Sequence, residues 1–275
     1  MTELSEQEFN LFRRLIKKEV GISLRPAKRY MLGLKLAGRL QHLEIPSYIS
    51  YYRFLLRPEG SGELHQFIDI VTINETGFFR NTFLFKLLQE KILPEIIKRN
   101  NSSKQIKIWS CGCSTGQEPY SIAILLEEIG ITEPDWKPKI LATDVNLLSL
   151  KTAFAGTYIS HKMSGIPSTY LDKYFHKQRL GNDEYYTVKD NVKKKILFRR
   201  LNLIKSMHHI SGPIDLILCR NVLIYLDQRT RLQTIDRFHR LLGPDRFLCL
   251  GGSESLPAFD SRFHSIGSGI YQKSR

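Results

Sequence analysis

Apolar residues recur at helical spacing through the first seventy positions, then give way to unbroken apolar runs separated by helical stretches. Ser5 and Glu8 form a capping box, and Phe9, Phe12, Ile16 and Val20 follow on one helical face before Gly21 ends the run. The spacing predicts further helices over 26–43, 48–56 and 63–71, with Gly60 and Gly62 at the turn before the last. A helix over 82–97 leads into a strand, IKIWSCG. Helices over 119–129, 147–155 and 227–242 then alternate with the strands KILATD, IDLILCRN and RFLCLGG, and an extended segment closes the chain. Apolar strands without alternation, separated by helices, belong to a parallel sheet covered on both faces. The predicted fold is therefore a doubly wound α/β domain, 73–275, preceded by an all-α domain, 1–72. Residues 73–82 form a linking motif, and 156–200 break the rhythm. There YFHKQRL, GND, EYYTV and KKKILFRR read as a small inserted antiparallel β subdomain.

Composition narrows the class. The 275 residues are 25% charged and 42% hydrophobic, which is ordinary for a globular chain with a real core. Lys and Arg number 41 against 27 Asp and Glu, a net +14 that suggests an acidic partner without naming one. No apolar stretch reaches the roughly 20 residues of a membrane span, and MTELSEQEFNLFRR lacks the layout of a signal peptide, so a cytoplasmic location is expected. Cys111, Cys113, Cys219 and Cys249 lie in or beside strand-like runs and are expected to be buried, reduced thiols. No second ligand pair at finger-like spacing accompanies the CxC, so no metal is expected.

Candidate chemistry gathers at strand ends. In WSCGCSTGQEPYSIAI a strand runs into a small-residue turn and then a helix start, where backbone approaches a ligand closely and free amides favour an anion. The lysine of a P-loop is absent, and so is a strict GxGxxG. Asp144 ends the next strand, where an acidic residue commonly holds ribose hydroxyls, although helix N-capping is an equally good role by position alone. Arg220 and Asn221 end a third strand with Tyr225 a turn away, facing the same crevice. Asn221 is followed by Val-Leu-Ile, which counts against the Pro-Pro-aromatic pattern of amino methyltransferases acting on bases. Finally INETGFFRN, at the domain junction, sets Asn74, Glu75, Thr76 and Arg80 around two phenylalanines and reads by pattern as a packed linker.

NETGFFRN, CSTGQEPYSIA, ATDVN, LCRNVLIYLD and GSESL occur in register, and together they resemble the CheR-type chemotaxis receptor methyltransferases over nearly the whole chain. The resemblance implies a doubly wound S-adenosylmethionine-dependent methyltransferase domain that esterifies glutamate carboxylates of receptors and releases S-adenosylhomocysteine. By position it implies that Asn74, Thr76, Arg80, Glu118 and Asp144 contact S-adenosylmethionine, with Asn202 and Leu203 bordering the adenine and Arg220 and Asn221 completing the pocket. It also sets Arg80 and Tyr225 near the methyl-transfer point. Gln117 and Gly252 depart from the glutamate and histidine frequent at their positions in the family.

The implied chemistry needs no general base, since a glutamate of pKa about 4.3 is already an anion at neutral pH. On a wheel of about 100° per residue, Lys28, Lys35, Arg39 and His42 share an arc of roughly 60° opposite Leu36, Leu40 and Leu43. With the resemblance, that stripe becomes the expected docking face for an acidic receptor helix bundle. A monomer is expected, without nucleic acid and without membrane insertion, recruited to membrane receptor arrays. The rivals are a nucleic-acid methyltransferase, supported only by the charge, and a non-catalytic S-adenosylmethionine-binding adaptor.

Overall fold

The computed structural model describes residues 3–132, 134–205, 209–257 and 260–274. Four helices form the first domain: α1 (Glu6–Val20), α2 (Arg29–His42), α3 (Tyr48–Leu55) and α4 (Ser61–Val71). The capping box is present as expected, with Ser5 Oγ accepting from Glu8 N and the Glu8 carboxylate accepting from Ser5 N. Gly21 closes α1 in the left-handed region at φ 76°, where a side chain would be strained. Phe9, Phe12, Ile16, Leu36, Leu40, Tyr51 and Phe67 fill this domain's own core. The second expected helix divides, because Pro26–Lys28 forms a tight 3-10 turn before α2 begins.

The α/β domain opens with α5 (Thr82–Leu87) and α6 (Leu93–Arg99), joined through a wide π turn at Leu88–Ile92. Sequence spacing read one helix here. Pro94 supplies the reason, since it has no N–H and its ring crowds the carbonyl four residues back, which a widened turn relieves. Then follow β1 (Gln105–Cys111), α7 (Gln117–Glu128), β2 (Lys137–Asp144) and α8 (Leu147–Ala155). The inserted subdomain holds β3 (Thr157–Ile159), α9 (Ser168–Tyr174), β4 (Phe175–Leu180), β5 (Asp183–Val188) and α10 (Asp190–Lys193). β6 (Ile196–Arg200), β7 (Ile214–Cys219), α11 (Gln228–Leu241), β8 (Leu242–Leu250), β9 (Phe263–Gly267) and β10 (Ile270–Lys273) complete the chain.

The main sheet has the order β6-β2-β1-β7-β8-β10-β9 and is parallel except at β10 and β9. Alternate residues of its central strands serve two cores. Ile106, Ile108, Leu216 and Leu218 pack under α5, α6 and α7, whereas Trp109, Cys111, Ile217 and Cys219 face Ile235 and Phe238 of α11. The small antiparallel sheet is β3-β5-β4, as expected for the insertion, with one correction. The run ILFRR, assigned from sequence to that subdomain, is β6 and pairs with β2 from Ile140↔Ile196 to Asp144↔Arg200. Short β-rich runs look alike in sequence; the parallel pairing is a tertiary fact.

Polar contacts lock the two domains together. Asp69 of α4 accepts from Leu147 N at 2.7 Å, and Asn146 Nδ2 donates to Asp69 O and to Thr72 Oγ1. On the other side Asn202 Nδ2 donates to Glu19 O, Lys17 pairs with Asp227, and Ile22 bridges Leu226. No helix among the described residues is long and apolar enough to cross a membrane.

Candidate functional site

Chain order diverges between β1 and β7, which carry the chain to opposite halves of the sheet. That switch point opens a crevice beyond the carboxyl ends of the strands. A cavity of about 1160 Å³, its mouth included, occupies the crevice. It is roofed by the linker after α4 and by the segment after α1. Asn74, Thr76, Arg80, Glu118, Asp144, Asn202, Leu203, Arg220, Asn221 and Tyr225 all line it, so the ten residues singled out in sequence for binding and transfer meet in one place.

The turn after β1 is built for close approach. Gly112 N and Cys113 N both donate to Thr143 O, which bends the chain over the end of β2. Gly112 has φ 69°, and a Cβ there would lie 2.4 Å from Val222 Cγ2. Asp144, 8% exposed, accepts from Ser114 N at 2.8 Å and from Asn146 N at 2.9 Å. Burial nevertheless raises its pKa above the ordinary carboxylate value, with those amides opposing the rise. It braces the loop before α8, while Asn146 caps that helix through Ser149 N. Of the two roles open from sequence, the capping role thus belongs to Asn146.

A second set of charges stands across the crevice. Glu118, in the first turn of α7, accepts from Ser110 Oγ at 2.7 Å and from Arg220 Nη1 at 3.0 Å. Arg220 Nη2 donates to Arg80 O, and its Nε is buried with no hydrogen-bond partner among the described residues. An orphaned guanidinium N–H on a residue lining a cavity is what a bound carboxylate would satisfy. Arg80 itself is exposed and donates to Glu75 O. Burial and the nearby Glu75 push the Tyr225 phenol up, against the influence of Arg80, so Tyr225 stays a neutral hydroxyl donor at neutral pH.

The linker is packed and also lines the cavity. Phe78 stacks edge-on against Tyr158 and Phe175, and Phe79 N donates to Ser121 Oγ, which holds the intervening polar residues against the cavity. Asn202 is fixed at the cavity wall by its own bonds, Nδ2 donating to Glu19 O and Oδ1 accepting from Ile204 N.

The basic stripe also acquires a different setting. Lys28 and His42 are exposed, but Lys35 Nζ donates to Ile70 O at the end of α4, and Arg39 grips buried Glu63 with both ends of its guanidinium. The outward face of α2 carries Tyr30 and Leu34, 66% and 60% exposed.

Sequence reasoning missed Glu254. Its carboxylate, 4% exposed, accepts from the amides of Asn221, Val222, Ile224 and Gly251. Its one signal was a glutamate just past an apolar strand, in GSESL. The four cysteines are free and buried, and burial raises the Cys111 and Cys113 thiols well above their ordinary value. Among the described residues no cluster of three or more His, Cys, Asp and Glu could hold a metal ion.

The donor set matches a zwitterionic nucleoside. Glu118 offers an anion for an ammonium, Arg220 a cation for a carboxylate, Asp144 acceptors for vicinal hydroxyls, and Leu201 and Leu203 an apolar border for a base. Comparison with known proteins agrees. The family model described as "CheR methyltransferase, SAM binding domain" matches residues 74–271, and "CheR methyltransferase, all-alpha domain" matches 7–72. The chemotaxis protein methyltransferase of Escherichia coli is 33% identical, the alignment covering 100% of this chain and 94% of that one. Its counterpart from Borreliella burgdorferi is 33% identical over 92% and 89%. Chemotaxis protein methyltransferase 1 of Pseudomonas aeruginosa is 34% identical over 94% of each.

Proposed function

The chain belongs to the CheR methyltransferase family of S-adenosylmethionine-dependent enzymes, and from that premise we propose that it methylates glutamate side chains of methyl-accepting chemotaxis receptors. The observation that carries this reading is the convergence of ten residues, scattered from position 74 to 225 of the α/β domain, on one cavity, with anion, cation and hydroxyl acceptor spaced around it. The curated relatives are named for chemotaxis, which supports the receptor as substrate.

In the proposed mechanism Asp144 would hold the ribose hydroxyls of S-adenosylmethionine, Glu118 its amino group and Arg220 its carboxylate. Bound S-adenosylmethionine supplies a methyl group on a sulfonium, open to in-line attack. Arg80 at the cavity's rim orients the incoming glutamate carboxylate, and the Tyr225 hydroxyl hydrogen-bonds beside the reacting groups. No residue need take a proton, because the substrate arrives ionised. The protein's contribution is alignment and exclusion of water, for which Val20, Ile22, Leu24, Val71 and Leu226 supply apolar walls; such positioning contributes about 7–11 kcal/mol in well-oriented cases.

We propose α2 as the face toward the acidic, helical, cytoplasmic part of the receptor. Lys28 presents its charge outward and Lys35, bonded to a neutral carbonyl, adds a second positive charge, while Arg39 is neutralised by Glu63 and positions α2 against α4. The enzyme acts as a monomer in the cytoplasm and reaches receptor arrays by this docking. Incubation with methyl-labelled cofactor, receptor cytoplasmic fragments and RNA tests the proposal. Label on the receptor that mild base removes is expected. Base-stable label on RNA would mark a nucleic-acid enzyme, and no transfer at all a binding adaptor.

A further inference from the structure

We propose that Glu254 is a positioning residue for methyl transfer: its carboxylate clamps the diverging ends of β7 and β8 and thereby sets the loop that carries Arg220, Asn221 and Tyr225. The two strands run in register to Cys219↔Leu250 and then separate to open the crevice. Separation strips the next amides of ladder partners. Glu254 Oε2 takes two of them, Asn221 N at 2.8 Å and Gly251 N at 2.6 Å, one from each strand's continuation. Oε1 takes Val222 N at 3.0 Å and Ile224 N at 3.2 Å, the amides leading to Tyr225. Four N–H donors converge on the two carboxylate oxygens, and only the ionised form offers an acceptor site to each of them.

Two further observations show how tightly the clamp fits. Asn221 takes the left-handed turn at φ 59°, a state that asparagine adopts more readily than other side-chain-bearing residues, and this aims its amide at the carboxylate. At Gly251 an added Cβ would stand 2.7 Å from Glu254 Oε2 and 2.8 Å from Asn221 N, so even a methyl group would displace the carboxylate from its amides. Glu254 does not line the cavity, so it acts through the loop rather than on the ligand.

The inference deepens the reading of this cavity as the transfer site, and its test separates the two. Glu254→Gln is the decisive variant, since it keeps shape but turns two acceptor sites into donors facing N–H groups. Binding of S-adenosylhomocysteine by calorimetry is expected to weaken about tenfold, with kcat on receptor fragments falling as well. Gly251→Ala, with the glutamate still present, should show the same pair of defects, while Ser253→Ala, exposed beside it, should match the wild type. Wild-type affinity and kcat in Glu254→Gln would overturn the clamp, since a space-filling role is rescued by the isosteric amide. Hydrogen exchange on the wild type decides the matter even if the variants fold poorly. The amides of Asn221, Val222 and Ile224 should be protected like those of β7, and exchange at exposed-loop rates would overturn the proposal. If receptor fragments accept no methyl group from the wild type, the receptor assignment fails, while binding and exchange still decide the clamp.

Discussion

The floor of the cavity rests on strand ends, whereas its roof is a linker and a short strap laid across from the helical domain. On the floor, Thr143 O takes two turn amides, Asp144 takes two more, and Glu254 takes four, all in buried surroundings. On the roof, Ser23 N reaches Tyr225 O, Ile22 bridges Leu226, and Lys17 meets Asp227 with its side chain 55% exposed. Buried, charge-assisted bonds fix geometry, and exposed pairs contribute little. The difference teaches a division of labour: the floor sets where the cofactor lies, and the roof, with Arg80 and Tyr225 on its margin, sets how a second substrate meets it.

Breaking the floor should have the largest effect. Asp144→Ala removes the hydroxyl acceptor and the brace on Ser114, and is expected to weaken S-adenosylhomocysteine about 100-fold by calorimetry. The same group sets a pH dependence. Burial raises its folded pKa above 3.8, so the ionised form costs stability as pH rises through that window. Affinity runs the other way, falling as pH drops through the raised value, because a neutral acid accepts less well. Titrations of affinity from neutral pH downward should show that fall in the wild type and not in Asp144→Asn.

Gly112→Ala tests the floor through backbone instead of charge. A left-handed φ and a Cβ 2.4 Å from Val222 predict a loss of about 2 kcal/mol in denaturant unfolding. An unchanged midpoint would mean that the turn gives way easily, and the comparison with the roof would lose its basis.

The α2 stripe should separate into two behaviours. Arg39→Ala leaves buried Glu63 with Tyr51 as its remaining side-chain partner and is expected to destabilise the helical domain by about 3 kcal/mol. Lys28→Glu should leave stability and cofactor affinity unchanged and raise the KM for receptor. The smallest effect belongs to the strap. Lys17→Ala should cost under about 1 kcal/mol in thermal unfolding, as expected for an exposed pair. Lys17 and the amide of Thr230 hold the Asp227 pKa at about 2. That contribution is present above the ordinary 3.8 and lost as pH falls toward 2, so Lys17→Ala should move acid unfolding slightly upward.

Much of the floor was legible in the sequence because its signals are local. A small-residue turn and an acid at a strand end each lie within a few residues, and the family register tied them together. What escaped depended on neighbours distant in the chain. β6 joined the main sheet through pairing with β2, and Glu254 found three of its four partners some thirty residues back. A helical wheel set Lys35 and Arg39 on an outward face, but α4 lies against them and Tyr30 and Leu34 point outward instead. Pro94 widened a helix whose apolar spacing alone looked unbroken.

The division between floor and roof is tested most directly by measuring Arg80→Ala twice: affinity for S-adenosylhomocysteine, and the single-turnover rate onto receptor fragments at saturating S-adenosylmethionine. Affinity within about threefold of wild type and a rate at least about tenfold slower are expected. A variant that loses affinity in proportion while its saturated rate is unchanged would place Arg80 among the binding groups and contradict the account.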